Sequence, residues 1–218
     1  MSRFRSIAGW GFAIAVTVSS HAWAAPIVWD SGPGHNNHSY EVFVVPGGID
    51  WITAKILAEA QGGYLATITS AEENAFVFAL VDSPAYWRFE NPDNPFANLG
   101  PWLGGFQTPG SAEPASGWTW LNGEGAFVYA SWQGGEPNNG PGPHGRDEEA
   151  LHYFAYVGRA ANWNDYPDDL AAPIAYVVES DAVAIPAPEP ASLMLVASGL
   201  LGAAAAARRR RGVVIDQR

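Results

Sequence analysis

The sequence predicts an α+β domain with small antiparallel sheets, bracketed by an export signal and a C-terminal transmembrane helix. Three observations predict it. Two helical segments sit together near the start and only short strands follow, joined by long Gly-, Pro- and Asn-rich stretches, so there are no alternating βαβ units. The N-terminus is basic, then apolar, then small-residued. The C-terminus carries a second apolar run closed by arginines.

The two ends are read first. Arg3 and Arg5 precede an apolar run over 7–18, and Ala22, Trp23 and Ala24 offer small residues at cleavage spacing, so 1–24 reads as a secretory signal peptide. The run is short for a bilayer span of about 20 residues. At the other end, Pro188, Glu189 and Pro190 precede a stretch over 191–207 that is apolar apart from Ser192 and Ser198. Its length is at the lower limit of about 17 residues for a span. Arg208, Arg209, Arg210 and Arg211 follow it and stay cytoplasmic by the positive-inside rule, which leaves the body of the chain outside the inner membrane.

The remaining residues, 26–183, are enough for one core. The chain as a whole has 22 Asp and Glu, 11 Lys and Arg, and a formal net charge of −11. Within the domain the only Lys and Arg are Lys55, Arg88, Arg146 and Arg159. Such an acidic surface argues against nucleic acid and anionic lipid as partners and is compatible with cation binding. There is no cysteine, so the domain uses none of the disulfides that export permits.

Along the domain, 39–45 is a β-branched and aromatic strand stopped by Pro46, Gly47 and Gly48. Asp50 can cap a helix over 51–61, with Trp51, Ala54 and Ala58 on one face and Gly62 and Gly63 as its stop. A short strand at 64–68 leads to Ser70 and Glu73 in capping-box spacing, which opens a second helix that buries Phe76, Val77, Leu80 and Val81. A long ordered loop over 82–101 holds four prolines. A core strand at 102–106 follows, then a strand from Trp118, a turn at Asn122 and Gly123, and a return strand at 127–132. A second loop over 134–146 is dense in Gly, Pro and Asn, and strands at 151–157 and 174–179 flank Trp163, Asn164 and Asp165. Long loops in a compact domain usually carry function.

Six short motifs in order carry a resemblance: 62–68 (Gly-Gly-Tyr-Leu-Ala-Thr-Ile), 102–105 (Trp-Leu-Gly-Gly), 118–120 (Trp-Thr-Trp), Trp132, 136–138 (Glu-Pro-Asn) and 163–165 (Trp-Asn-Asp). Together they resemble a C-type-lectin domain over 39–179. That resemblance implies a double-loop fold with two helices flanking small antiparallel sheets under a long loop region. The tail, with Pro-Glu-Pro, short helix and arginine cluster over 184–211, is similar to the PEP-CTERM sorting segment of Gram-negative bacteria. It implies an exosortase as partner, cleavage near Pro-Glu-Pro, and a final place at the cell surface, outer envelope or extracellular matrix.

The resemblance also implies a calcium site, and a carbohydrate site at the same residues: Glu136, Asn138, Glu148, Asn164 and Asp165. The chemistry is sound independently, because Ca2+ takes about six to eight oxygen ligands from carboxylates, amide carbonyls and water. Two neighbouring sugar hydroxyls would complete the shell. A cis peptide before Pro137, a conformation essentially confined to X-Pro bonds, would turn Glu136 and Asn138 to the ion. Within the resemblance, Glu-Pro-Asn implies vicinal equatorial hydroxyls, as in mannose, glucose or fucose, with an extracellular polysaccharide as a candidate source. Ala150 stands where the family has a cysteine. Glu113 and Glu149 are candidates for an auxiliary calcium site.

Other readings remain beside this one. The 136–138 segment is also an ordinary turn sequence. Trp51, Trp118, Trp120 and Trp132 read as core, with Trp87 or Trp163 as exposed stacking candidates. His35, His38, His144 and His152 lack tight zinc-ligand spacing and read as surface or loop residues. An enzyme is not expected: carboxylate pairs hydrolyse glycosides, but these acids cluster at calcium-ligand positions, and there is no cysteine nucleophile or Ser-His-Asp order. A non-sugar-binding structural or protein-interaction module of the matrix fits the same sequence.

Overall fold

The computed structural model describes residues 25–89, 97–140 and 146–181. The expected signal peptide and sorting tail lie outside the described residues. Among those described, no helix is long and apolar enough to cross a membrane.

The chain enters through β1 (Ile27–Val28) and β2 (Ser39–Val44). Helix α1 (Trp51–Ala60) follows, its first turn closed by the Asp50 carboxylate, which accepts from the Thr53 amide at 2.7 Å. Its buried face is Trp51, Ala54 and Ala58. After β3 (Tyr64–Leu65), helix α2 (Ala71–Val81) opens on the expected Ser70 cap, whose hydroxyl accepts from the Glu73 amide at 3.1 Å. Val77 and Val81 are fully buried in the core, with Phe76 and Leu80 packed against it. Burying each such apolar side chain stabilises the fold by about 1.5–3 kcal/mol.

The strands that follow are β4 (Asn98–Gln107), β5 (Trp118–Trp120), β6 (Ala150–Ala155), β7 (Asn162–Tyr166) and β8 (Ala175–Ser180). They do not form separate antiparallel sheets. One eight-stranded sheet runs β1-β2-β8-β4-β6-β7, with β3 also on β8 and β5 also on β4. It is mixed: β4 meets β8 in parallel at Trp102 and Tyr176. The C-type-lectin-like expectation thus holds in its two helices and long loops and is corrected in its sheet.

Central to this sheet is β4, which touches three neighbours and therefore has no room for side chains at Gly104. A Cβ there would collide with the Leu65 carbonyl oxygen on β3. Two tryptophans around it bury their rings and satisfy their N–H groups, while the buried Trp120 Nε1 on β5 has no hydrogen-bond partner. Trp102 Nε1 donates to the Ile49 carbonyl and Trp51 Nε1 to the Leu103 carbonyl, both at 2.8 Å.

Three expectations about elements are corrected. The 127–132 segment is not a return strand: it contributes one bridge, Trp132 to Trp163, and otherwise packs aromatic rings on Trp163. The 82–101 loop holds a 3-10 turn (Pro84–Tyr86), a bridge from Arg88 to Leu99 and the start of β4. Trp163, Asn164 and Asp165 lie inside β7, paired to β6, not between strands.

Candidate calcium and carbohydrate site

The site begins with β7. Pairing with β6 sets Asn164 opposite His152 and Asp165 opposite Leu151. On its other side, the Trp163 amide donates to the Ser131 carbonyl, and the Gln133 amide to the Trp163 carbonyl, each at 2.8 Å. Gln133 then turns the chain by accepting from the Glu136 amide at 2.8 Å. The loop carrying Glu136, Pro137 and Asn138 is therefore hung directly from the strand that carries Asn164 and Asp165. The Glu136–Pro137 peptide is cis, as the resemblance implies.

Asp165 fastens the loop. Its carboxylate accepts from the Asn138 amide at 3.0 Å and the Asn139 amide at 2.7 Å. Asn139 returns the contact to the next segment, its Oδ1 accepting from the Glu148 amide at 2.9 Å. Glu148 Oε2 accepts from the Gly140 amide at 2.8 Å. These contacts draw together Glu136, Asn138, Glu148, Asn164 and Asp165 from three chain segments. Within the acidic run Glu148 is buried, while Asp147 is exposed.

The electrostatics are those of a crowded anion cluster. Burial, then the Asp165 charge, pushes Glu136 up to about 7. Burial and the same neighbour push Glu148 up to about 8. Burial also raises Asp165, against the pull of the Asn139 and Asn138 amides. Among the described residues no lysine, arginine or histidine pairs with these three carboxylates. Glu136 Oε2 is buried with no hydrogen-bond partner. A divalent cation fits this donor set: hard oxygens, excess negative charge and an orphaned carboxylate oxygen. Glu136, Glu148 and Asp165 nevertheless do not share one point at ligand spacing, since among the described residues only another cluster brings three acidic or histidine ligand atoms within 4.8 Å of one another. Two of the three carboxylates spend oxygens on loop amides instead.

Asn164 is largely buried. Its Nδ2 donates to the Asp165 carbonyl and lies 3.2 Å from His152 Nε2. His152 is fully buried, and burial lowers its pKa to about 3, so the ring is neutral and its Nε2 can accept. The sequence reading of His152 as a surface or loop residue is thereby corrected. Trp163 and Trp87 are also corrected: both are buried in the core and offer no stacking face. The residues that sequence reasoning missed are His152, Asn139 and Gly140. Asn139 takes a positive φ of 42°, a conformation Asn tolerates better than most residues, and the run Asn-Asn-Gly is the signal that was available. A Cβ at Gly140 would sit 2.5 Å from Asn138 Oδ1 and 3.3 Å from Glu148 Oε2, so the glycine leaves room for two of the expected ligands. At the proposed auxiliary site, Glu149 is raised by burial and by Asp168, Asp147 and Glu113.

Residues 186–211 match the family model of the PEP-CTERM protein-sorting motif. The domain is similar to a perlucin-like protein of Mytilus galloprovincialis, 26% identical over 155 residues, covering 71% of this chain and 85% of that one. Among solved structures it is similar to the cow C-type carbohydrate-recognition domain of CD23, crystallised in the presence of an oligosaccharide, with 23% identity, 66% of this chain and 88% of that chain covered, and a TM-score of 0.46. A mouse scavenger receptor C-type lectin carbohydrate-recognition domain gives 21% identity over 66% of this chain and 91% of that one, with a TM-score of 0.47.

Proposed function

We propose that this chain is an exported, calcium-dependent carbohydrate-binding protein of the bacterial envelope or extracellular matrix. Its domain at 26–183 binds the ligand, and its segment at 184–211 is handed to an exosortase. The observation that supports the binding reading is the mutual electrostatic crowding of Glu136, Glu148 and Asp165, with no cationic partner among the described residues, beside the amides of Asn138 and Asn164. The PEP-CTERM match supports the sorting reading and an exported domain. The role is binding, not catalysis.

A bound Ca2+ would neutralise the cluster and offer open coordination positions to two vicinal hydroxyls. The chain's own residues supply the rest. Glu136 and Glu148 accept hydrogen bonds from those hydroxyls, and Asn138, which is exposed, donates to them. Gly140 and Asn139 hold the two acidic segments at a fixed separation.

A second reading has one observation in its favour. Both amide hydrogens of Asn164 face internal acceptors, the Asp165 carbonyl and His152 Nε2, which leaves none for a sugar. That arrangement suits a structural matrix module in which calcium stiffens the loops and no glycan is read. One experiment separates the two. Calorimetry measures calcium binding, and a glycan array is probed with and without calcium. The lectin reading expects binding of mannose- or glucose-like glycans only with calcium. The double variant Glu136→Gln, Asn138→Asp should keep calcium and move preference toward galactose-like hydroxyl pairs. Calcium binding with a blank array establishes the structural reading, and no calcium binding removes both.

A further inference from the structure

Away from the loop, three distant segments bring a histidine and two glutamates together. His38 stands at the entrance to β2, Glu124 in the turn after β5, and Glu179 near the end of β8. Their ligand atoms lie within 4.8 Å of one another. We propose that His38, Glu124 and Glu179 form a second metal site that takes a divalent cation of the zinc class.

The geometry needs little change. Tetrahedral ligands about 2.0–2.1 Å from zinc lie roughly 3.3 Å apart. His38 Nδ1 is already 2.5 Å from Glu179 Oε1, and Glu124 closes the group. Water completes the shell, and Asp181 Oδ1, 3.7 Å from His38 Nε2, lies on the ring's other nitrogen.

The floor of the site is built. Glu179 is fully buried, and its carboxylate is held by the Thr67 amide at 2.7 Å and the Tyr40 hydroxyl at 3.1 Å. Glu73 Oε1 lies 2.7 Å from the same hydroxyl, so the two carboxylates share its one hydrogen. Partners of this kind orient a metal ligand and fix which lone pair it presents. On the segment that binds Glu179, the fully buried Thr67 Oγ1 has no hydrogen-bond partner. The charge also fits. Glu124, Glu179 and Asp181 surround one imidazole, and even a protonated His38 leaves the group anionic. Lys55, Arg146 and Arg159 are paired elsewhere, with Glu59, Asp169 and Asp82.

The donor set decides the class of ion. Calcium asks for six to eight oxygens, whereas three protein ligands including an imidazole nitrogen suit zinc or its d-block neighbours. Filling the site would tie the β2 entrance, the β5 turn and β8 at one point, in a domain with no cysteine to crosslink them.

The test uses the full-length chain with calcium at saturation, so that the loop cluster is already satisfied. Zinc alone is titrated by calorimetry, and cobalt replaces it for visible absorption. One equivalent of zinc is expected, with a cobalt band of tetrahedral intensity. Glu124→Gln should weaken zinc at least tenfold with the calcium isotherm unchanged, since Glu124 is not among the calcium-cluster residues. His38→Asn should remove the cobalt band, and His35→Asn should leave it. Zinc uptake that is absent in the wild type, or equal in Glu124→Gln and His38→Asn, overturns the proposal. Circular dichroism of each variant assigns any loss to the ligand and not to unfolding.

Discussion

Gly140 shows how one absent methyl can matter to a binding site and hardly at all to folding. Its Cα faces Asn138 Oδ1 and Glu148 Oε2, the far ends of two side chains that can move aside. Gly140→Ala should therefore leave the melting temperature in chelator unchanged or slightly higher, because alanine narrows the unfolded ensemble by about 0.4–1 kcal/mol. The same change pushes two expected ligands off their positions, and calcium affinity measured by calorimetry should fall about tenfold or more. Equal affinity in variant and wild type would show that Asn138 and Glu148 are not ligands. Gly104 is the contrasting case. Its missing Cβ faces a backbone carbonyl that cannot swing away, so Gly104→Ala acts on the fold itself.

At the level of elements, the loop and β7 form one titrating unit. Glu136 and Glu148 ionise near 4.5 in an unfolded chain and at about 7 and about 8 in the folded one. A carboxylate raised in this way costs nothing below the unfolded value, where both states are protonated, and its cost grows as pH rises through the folded value. In chelator the domain should thus lose stability from pH 5 to pH 8, read as a falling melting temperature. Calcium should restore most at pH 8 and bind more weakly as the pH drops. A flat or rising melting temperature in chelator over that range would sink the account. The elements themselves were largely legible. Asp50 and Ser70 are local caps, so α1 and α2 could be placed from sequence. Four of the five expected ligand residues lie in two contiguous motifs, Glu-Pro-Asn and Trp-Asn-Asp, and Glu148 is the buried residue of the acidic run. What escaped was non-local. Phe127, Tyr129 and Trp132 look like strand residues, but their rings cover Trp163, and only the folded sheet reveals that this tryptophan lies under them. His152 alternates like any strand residue, and its contact with Asn164 depends on the register between β6 and β7.

For the whole molecule, the sorting match makes a claim about what remains after maturation. If an exosortase acts on 184–211, mass spectrometry of the envelope-bound and released protein should find chains ending near Pro188. Recovery of Arg208 to Arg211 in the mature protein would refute cleavage while leaving an anchor in place. Either way, whatever holds the polypeptide beyond Asp181 pulls first on β8. That strand is gripped on both flanks, by β2 over six residue pairs and by β3 and β4 on the other side. A load applied along its axis would stretch these hydrogen bonds together, in shear, and would not peel them off one at a time. The handle of the domain is thus its interior strand. Mechanical tension on the chain beyond Asp181 would meet the best-supported part of the sheet before it reached the loop that carries Glu136 and Asn138.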